Sequence, residues 1–134
     1  MILGIDPGER RDGVAVADLE TRWARPVEVI DGADGDPIAR ILELVQQLAV
    51  TSIVVGRPLA LSGAAGAAMV AQRDFVARLR AASSTAVHEF DERLTTVVAE
   101  RSLRSAGATA ARRKQVRDAV AAQVMLQDYL DSTG

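Results

Sequence analysis

The sequence predicts an α/β fold, a mixed five-stranded sheet with helices on both of its faces. Three observations carry that prediction. Two short apolar runs, residues 1–6 and 13–18, are joined by a polar, glycine-flanked link, as in a β-hairpin. A third extended run, residues 23–30, follows closely. Beyond residue 36, amphipathic helical stretches alternate with apolar β-runs, the pattern of βα units. The predicted order is β-β-β-α-β-α-β-α-α, three antiparallel hairpin strands and then βα alternation.

The first strand ends in Asp6, followed at once by the turn pair Pro7-Gly8. A carboxylate therefore stands at the tip of an apolar hairpin, where it can meet solvent, a metal or a phosphate. Glu9, Arg10, Arg11 and Asp12 form the charged link, and Gly13 opens the second strand. The third strand contains Pro26, which cannot donate to a ladder, so it is predicted at a sheet edge, with Trp23, Val27 and Val29 on one face. Asp36 and Pro37 then supply an N-cap and a first-turn proline. Ile38, Ile41, Leu42, Val45, Leu48 and Ala49 follow as one apolar helical stripe.

Residues 51–56 are apolar on both sides of the run, as in a central parallel strand. A small-residue loop over 62–66 leads to a helix predicted from 67 to 82, with Ala68, Ala71, Phe75 and Leu79 inward. A fifth strand, residues 86–90, ends in Asp91-Glu92-Arg93. Thr95 or Thr96 can cap a third helix that Gly107 closes, and the last helix is predicted from 109 to 129. The right-handed crossover rule sets the fourth strand parallel to the first. Ligands of such sheets collect at the carboxyl ends of the central strands, where Asp6 and Gly56 fall.

At 134 residues the chain is long enough for one domain with a substantial core, and 49% apolar content excludes a disordered chain. The absence of cysteine excludes disulfides, zinc-thiolate sites and thiol nucleophiles. No apolar run reaches the roughly 20 residues of a membrane span. Met1 opens directly into a strand, which leaves no room for a signal peptide and predicts a cytoplasmic protein. A net charge of −2 argues against nucleic-acid binding on its own, yet the charge is clustered. Arg101, Arg104, Arg112, Arg113, Lys114 and Arg117 lie within 101–117 with no acid among them. Only four aromatics are present besides His88, so base-stacking platforms are not expected, and His88 itself reads as a packed strand residue.

Three acidic positions could converge: Asp6, the Asp91-Glu92 pair, and Asp118 on the last helix. Asp118 shares a helical face with Ala122, Met125 and Tyr129. Each acid has a bland reading as well, Asp118 as a partner of Lys114, Asp91-Glu92 as turn acids, Asp6 as a turn cap. An acid beside a buried stripe needs compensation, because an unpaired buried charge is costly. A hard divalent cation held by carboxylates is one solution. Paired metals of this kind support phosphodiester cleavage without a protein nucleophile.

The segments taken together resemble the YqgF family, also called RuvX, in the ribonuclease H-like superfamily of nucleases. The matching stretches are Gly4-Ile5-Asp6-Pro7-Gly8 with Gly13-Val14-Ala15-Val16, and Ile53-Val54-Val55-Gly56 with Pro58-Leu59 and Gly63. Asp91-Glu92-Arg93-Leu94-Thr95-Thr96 and Asp118 with Ala121-Ala122-Gln123 complete the set. The resemblance implies a single ribonuclease H-like nuclease domain over residues 1–134. It implies metal-dependent hydrolysis of structured nucleic acid, either maturation of the 5′ end of pre-16S rRNA during ribosome biogenesis or resolution of Holliday junctions. It points to Asp6, Glu92 and Asp118 as the catalytic, metal-binding acids for Mg²⁺ or Mn²⁺, with Asp91 as the rival to Glu92. Arg10, Arg11, Arg57 and Arg93 are expected on phosphates near the metal, and Arg112, Arg113, Lys114 and Arg117 along an extended track. The implied partners are pre-rRNA or branched DNA and ribosomal precursor particles, with no membrane, for a monomer or homodimer. The chain departs from the family pattern at Glu9, Asp12 and Ala60-Leu61-Ser62.

Two other classes are compatible with parts of the pattern. An Asp-x-Gly hairpin also opens sugar-kinase and actin-like ATPases, but those close two such domains over a nucleotide. A non-catalytic ribosome-assembly module would keep the fold and lose the metal.

Overall fold

The structure, a computed structural model, describes residues 1–8, 10–57, 63–91 and 110–133, with side chains at all of these except 34, 63–68, 91 and 110–118. Five strands form one sheet: β1 (Ile2–Asp6), β2 (Arg11–Ala17), β3 (Ala24–Asp31), β4 (Ser52–Arg57) and β5 (Ala86–Asp91). Among the described residues three α-helices accompany them: α1 (Pro37–Gln47), α2 (Gly63–Ala82) and α3 (Ala110–Thr133). The strand order is β3-β2-β1-β4-β5. β1–β2 and β2–β3 pair antiparallel, and β1–β4 and β4–β5 pair parallel. This is the mixed five-stranded sheet that the hairpin and the βα alternation predict.

Each strand turns alternate side chains to opposite faces, and the cores divide accordingly. Leu3, Ile5, Val14, Val16, Ile53 and Val55 meet α1 and α2 through Ile38, Ile41, Val76 and Leu79. Ile2, Ala15, Ala17 and Val54 meet Ala122, Met125, Leu126 and Leu130 of α3. The second layer is made of smaller residues, which brings α3 close. At Gly4 a Cβ atom would stand 2.9 Å from the Leu126 Cβ, so the sheet accepts the helix there only because no side chain intervenes.

Local chemistry sets the ends of the elements. Asp36 Oδ1 accepts from the Ile38 N–H at 3.1 Å, and Pro37 occupies the first turn of α1, as the sequence predicts. β3 lies at an edge, with Pro26 on it and a register shift between Val14 and Ala15 in its partner. α3 is fastened to the β2–β3 corner by side chains. The Arg22 guanidinium donates to the Leu130 carbonyl. Gln127 accepts from the Ala24 N–H at 2.9 Å and donates to the Arg22 carbonyl at 3.0 Å. The C-terminal turns of α3 therefore sit at the Ile2–Ala17 end of the sheet, and its N-terminal turns run towards the Asp6 end.

Several expectations are corrected. β2 begins at Arg11, so Arg11 and Asp12 belong to the strand rather than the link. Trp23 precedes β3 and is 73% exposed. α2 begins at Gly63, and its buried stripe is Gln72, Val76 and Leu79, with Ala71 exposed and Phe75 half-buried. The stripe is rotated because the Gln72 amide has a polar partner inside: its Nε2 donates to Glu89 at 3.2 Å. The third predicted helix, 95–107, lies outside the described residues.

Gly4→Ala is expected to destabilise the protein by about 1–3 kcal/mol through overpacking, and Leu126→Ala by about 2–5 kcal/mol through lost burial. Because the two sites touch, the double variant should lose less than the sum of the two, read from urea denaturation midpoints.

Candidate active site

Asp6 is the last residue of β1 and lies opposite Gly13 of β2. Ile5 is level with Val55 of β4, so Asp6 falls beside Gly56. Ile2 and Gly4 of β1 face α3, and the alternation carries Asp6 to the same face. Its side chain is half-buried and has a glycine on each flanking strand. A carboxylate at a strand end supplies the hard oxygen donors that Mg²⁺ or Mn²⁺ prefers.

The turn behind Asp6 is tight. A Cβ at Gly8 would stand 2.4 Å from the Arg11 carbonyl oxygen, so only glycine fits. The Gly8 N–H donates to Asp12 Oδ1 at 3.2 Å. Asp12, 8% exposed, is thus a brace of the turn on the α1–α2 face. The sequence reads it only as a polar link residue, because its burial depends on β2 starting two residues early.

At the neighbouring strand ends, Arg57 closes β4 opposite Asp91 of β5. Its guanidinium donates to Glu89 at 3.1 Å, and Glu89 also accepts from Gln72. Burial raises the Glu89 pKa, and the hydrogen bonds from Gln72 and Arg57 outweigh it, leaving the carboxyl below its ordinary 4.5. Arg10 is exposed and Arg11 half-buried at the foot of β2. Glu92 and Arg93 lie outside the described residues. Arg112, Arg113, Lys114, Arg117 and Asp118 belong to α3, and their side chains lie outside the description. Among the described residues no group of three His, Asp or Glu side chains is placed to hold a metal.

One group of side chains escapes sequence reasoning. His88 is exposed rather than packed, and stacks on Tyr129 with ring centroids 6.4 Å apart and planes 25° apart. Phe90 meets Tyr129 edge-on at 5.7 Å. Phe90 is level with Gly56, and these rings occupy the α3 face of the outer strand β5. Their proximity depends on the path of α3, which no local pattern encodes.

Comparison with known proteins identifies the family and the fold. A family model described as "RuvX: Holliday junction resolvase" matches residues 1–132. A Chloroflexus aggregans protein named "Putative pre-16S rRNA nuclease" is 46% identical over 132 residues, covering 98% of this chain and 93% of that protein. T. thermophilus RuvC in complex with Holliday junction substrate superimposes with a TM-score of 0.60 at 19% identity, covering 98% of this chain and 94% of that one. The fowlpox virus resolvase, in complex with Holliday junction DNA, gives 0.55 at 10% identity over 98% of this chain and 97% of that one. The fold is thus that of the RuvC-like, ribonuclease H-like proteins, and the chain is a nuclease by class. More narrowly, it belongs to the RuvX (YqgF) family. Among the described residues no helix is long and apolar enough to cross a membrane.

Since the folded-state pKa of Glu89 is depressed, its contribution to stability is fully present above 4.5 and is lost as pH falls through the folded-state value. Glu89→Gln should therefore lower stability by about 1 kcal/mol at neutral pH. The gap between variant and parent should close on acidification, as followed by denaturant titration across that range.

Proposed function

We propose that residues 1–134 act as one metal-dependent nuclease domain in the cytoplasm, hydrolysing phosphodiester bonds in structured nucleic acid, with 5′-end processing of pre-16S rRNA as its task. The observation that carries this reading is the half-buried Asp6 carboxylate at a strand end, flanked by Gly13 and Gly56, in a chain of the RuvX family. Asp6, Glu92 and Asp118 are the proposed ligands of Mg²⁺ or Mn²⁺. Two features bear on the last two. Position 118 precedes the fully buried Ala122 by one turn on the sheet-facing side of α3. Along β5, Val87 belongs to the α1–α2 core and Glu89 meets Gln72 of α2, whereas His88 and Phe90 meet Tyr129 of α3. Within β5 the even positions thus share Asp6's side of the sheet; Glu92 itself lies outside the described residues and is proposed on the family resemblance, with Asp91 as its rival. A bound divalent ion supplies water activation and stabilisation of the leaving oxygen. The carboxylates orient that ion, and arginines hold the substrate's phosphates.

Arg10, Arg11, Arg57 and Arg93 are the proposed phosphate contacts beside the acids, with Arg112, Arg113, Lys114 and Arg117 extending them. Phosphate contacts position the substrate and carry little sequence information, so selectivity rests on shape. The match to a resolvase family favours a second reading, cleavage of branched DNA. Pre-rRNA and four-way DNA junctions, offered in parallel with Mn²⁺, separate the two by which substrate is cut. Binding to ribosomal precursor particles follows from the first reading and not from the second.

Asp6→Asn should abolish saturable Mn²⁺ binding by calorimetry and lower hydrolysis by more than about 100-fold, beyond the effect of losing an outer-shell group, with the melting temperature preserved. An unmutated protein that binds no Mn²⁺ would overturn the reading in favour of a non-catalytic assembly module. Arg112→Glu with Arg113→Glu should weaken nucleic-acid binding and flatten the slope of log K against log salt by about 2.

A further inference from the structure

On the α1–α2 side of the β1–β2 turn, opposite the face that Asp6 presents, lies a cleft of about 450 Å³. Small-ligand sites span roughly 300–1,000 Å³. The cleft is lined by apolar surface from Pro7, Pro37 and the half-buried ring of Phe75. Arg10 and Arg78, both exposed, also line it. The Arg10 backbone and the Arg78 side chain both meet the connection that follows β3. The Arg10 carbonyl accepts from the Gly32 N–H at 2.9 Å, and the Arg78 guanidinium donates to Asp36 at 3.5 Å. Gly32 and Asp36 belong to the same short connection between β3 and α1. Gln72, 3% exposed, borders the cleft from α2, held by its bond to Glu89.

An aromatic ring, a fixed carboxamide and two arginines lining one cleft together match one nucleotide. Base rings stack on aromatic faces, carboxamides present both a donor and an acceptor, and arginine favours phosphate through its planar fork. The acids that also line the cleft, Asp12 and Asp74, disfavour a second phosphate and suit the amino group of a base. Position gives the cleft a substrate. Pro7 and Gly8, the two residues after Asp6, form part of its wall. Gly8 carries no side chain, and the Arg11 carbonyl fills the space one would take.

We propose that this cleft receives one unpaired nucleotide of the substrate strand, its base against Phe75 and Gln72 and its phosphate on Arg10 and Arg78. The inference rests on the nuclease reading for the source of that nucleotide. It makes an unpaired residue near the scissile bond part of what the protein recognises.

The test uses the full chain in EDTA, so metal binding and hydrolysis play no part. Titration with AMP, followed by ¹H–¹⁵N correlation spectra, should shift the Gln72 side-chain amide and the Gly8 backbone amide. Inorganic phosphate should leave the Gln72 amide in place. Ala71→Trp, a substitution at an exposed position lining the cleft, should fill the space and abolish the AMP shifts, with the folded spectrum retained. Arg78→Ala should weaken AMP binding. An RNA hairpin with a single-nucleotide bulge should bind the parent protein about tenfold more tightly than its fully paired counterpart, the scale of one stacked base, and Ala71→Trp should erase that preference. No AMP shift at Gln72 and Gly8, or a bulge preference that survives Ala71→Trp, would overturn the proposal. A protein that keeps the shifts and the preference but cuts nothing with Mn²⁺ would instead overturn the nuclease reading alone.

Discussion

The molecule depends on how closely α3 can approach the sheet. Gly4 has no side chain, and Leu126 occupies the space a side chain would need. Around that contact the α3 face of the sheet is built from Ala15, Ala17 and Val54, small enough to let the helix lie low. The opposite face carries larger residues, Leu3, Ile5, Ile53 and Val55, and among the described residues it packs two helices where the first packs one. The asymmetry brings a helix close to the strand that ends in Asp6. The bonds from Arg22, Ala24 and Gln127 then fix which end of α3 lies at which end of the sheet. Packing therefore sets the direction of approach, and hydrogen bonds set the position along it.

The turn after Asp6 shows the same economy. Pro7 and Gly8 reverse the chain, Asp12 accepts from the Gly8 N–H, and the Arg11 carbonyl leaves no room for a Cβ at Gly8. The turn has the Asp6 carboxylate on one side and a cleft on the other. Arg57, Glu89 and Gln72 link the end of β4 to that cleft through two hydrogen bonds. On the α1–α2 side the strand ends thus carry two sets of polar contacts, Gly8–Asp12 and Arg57–Glu89–Gln72.

Much of this was legible in the residues. The hairpin, the edge position of β3, the cap of α1 and the parallel β4 all follow from turn residues, Pro26, Asp36-Pro37 and the crossover rule. Asp6 stands out because an apolar run seldom ends in an acid followed by Pro-Gly. Other features depend on contacts between distant segments. The buried stripe of α2 runs through Gln72, because Glu89 on β5 gives its amide a partner, and apolar periodicity alone selects Ala71. His88 sits in a strand yet is exposed, since β5 is the outermost strand and Tyr129 covers it only in part. Asp12 reads as a surface turn acid until the strand is seen to start at Arg11. In each case the deciding partner is far away in sequence or belongs to a different element.

The outer margin of β3 has a consequence for how the molecules behave among their own kind. An open sheet ends in a row of unpaired backbone groups that invites other chains to add on. On this side Pro26 removes one donor, the shift at Val14–Ala15 disturbs the regular ladder, and Arg25 sits exposed beside it. Together they make the margin a poor template for further strands, so the sheet resists growing sideways into aggregates.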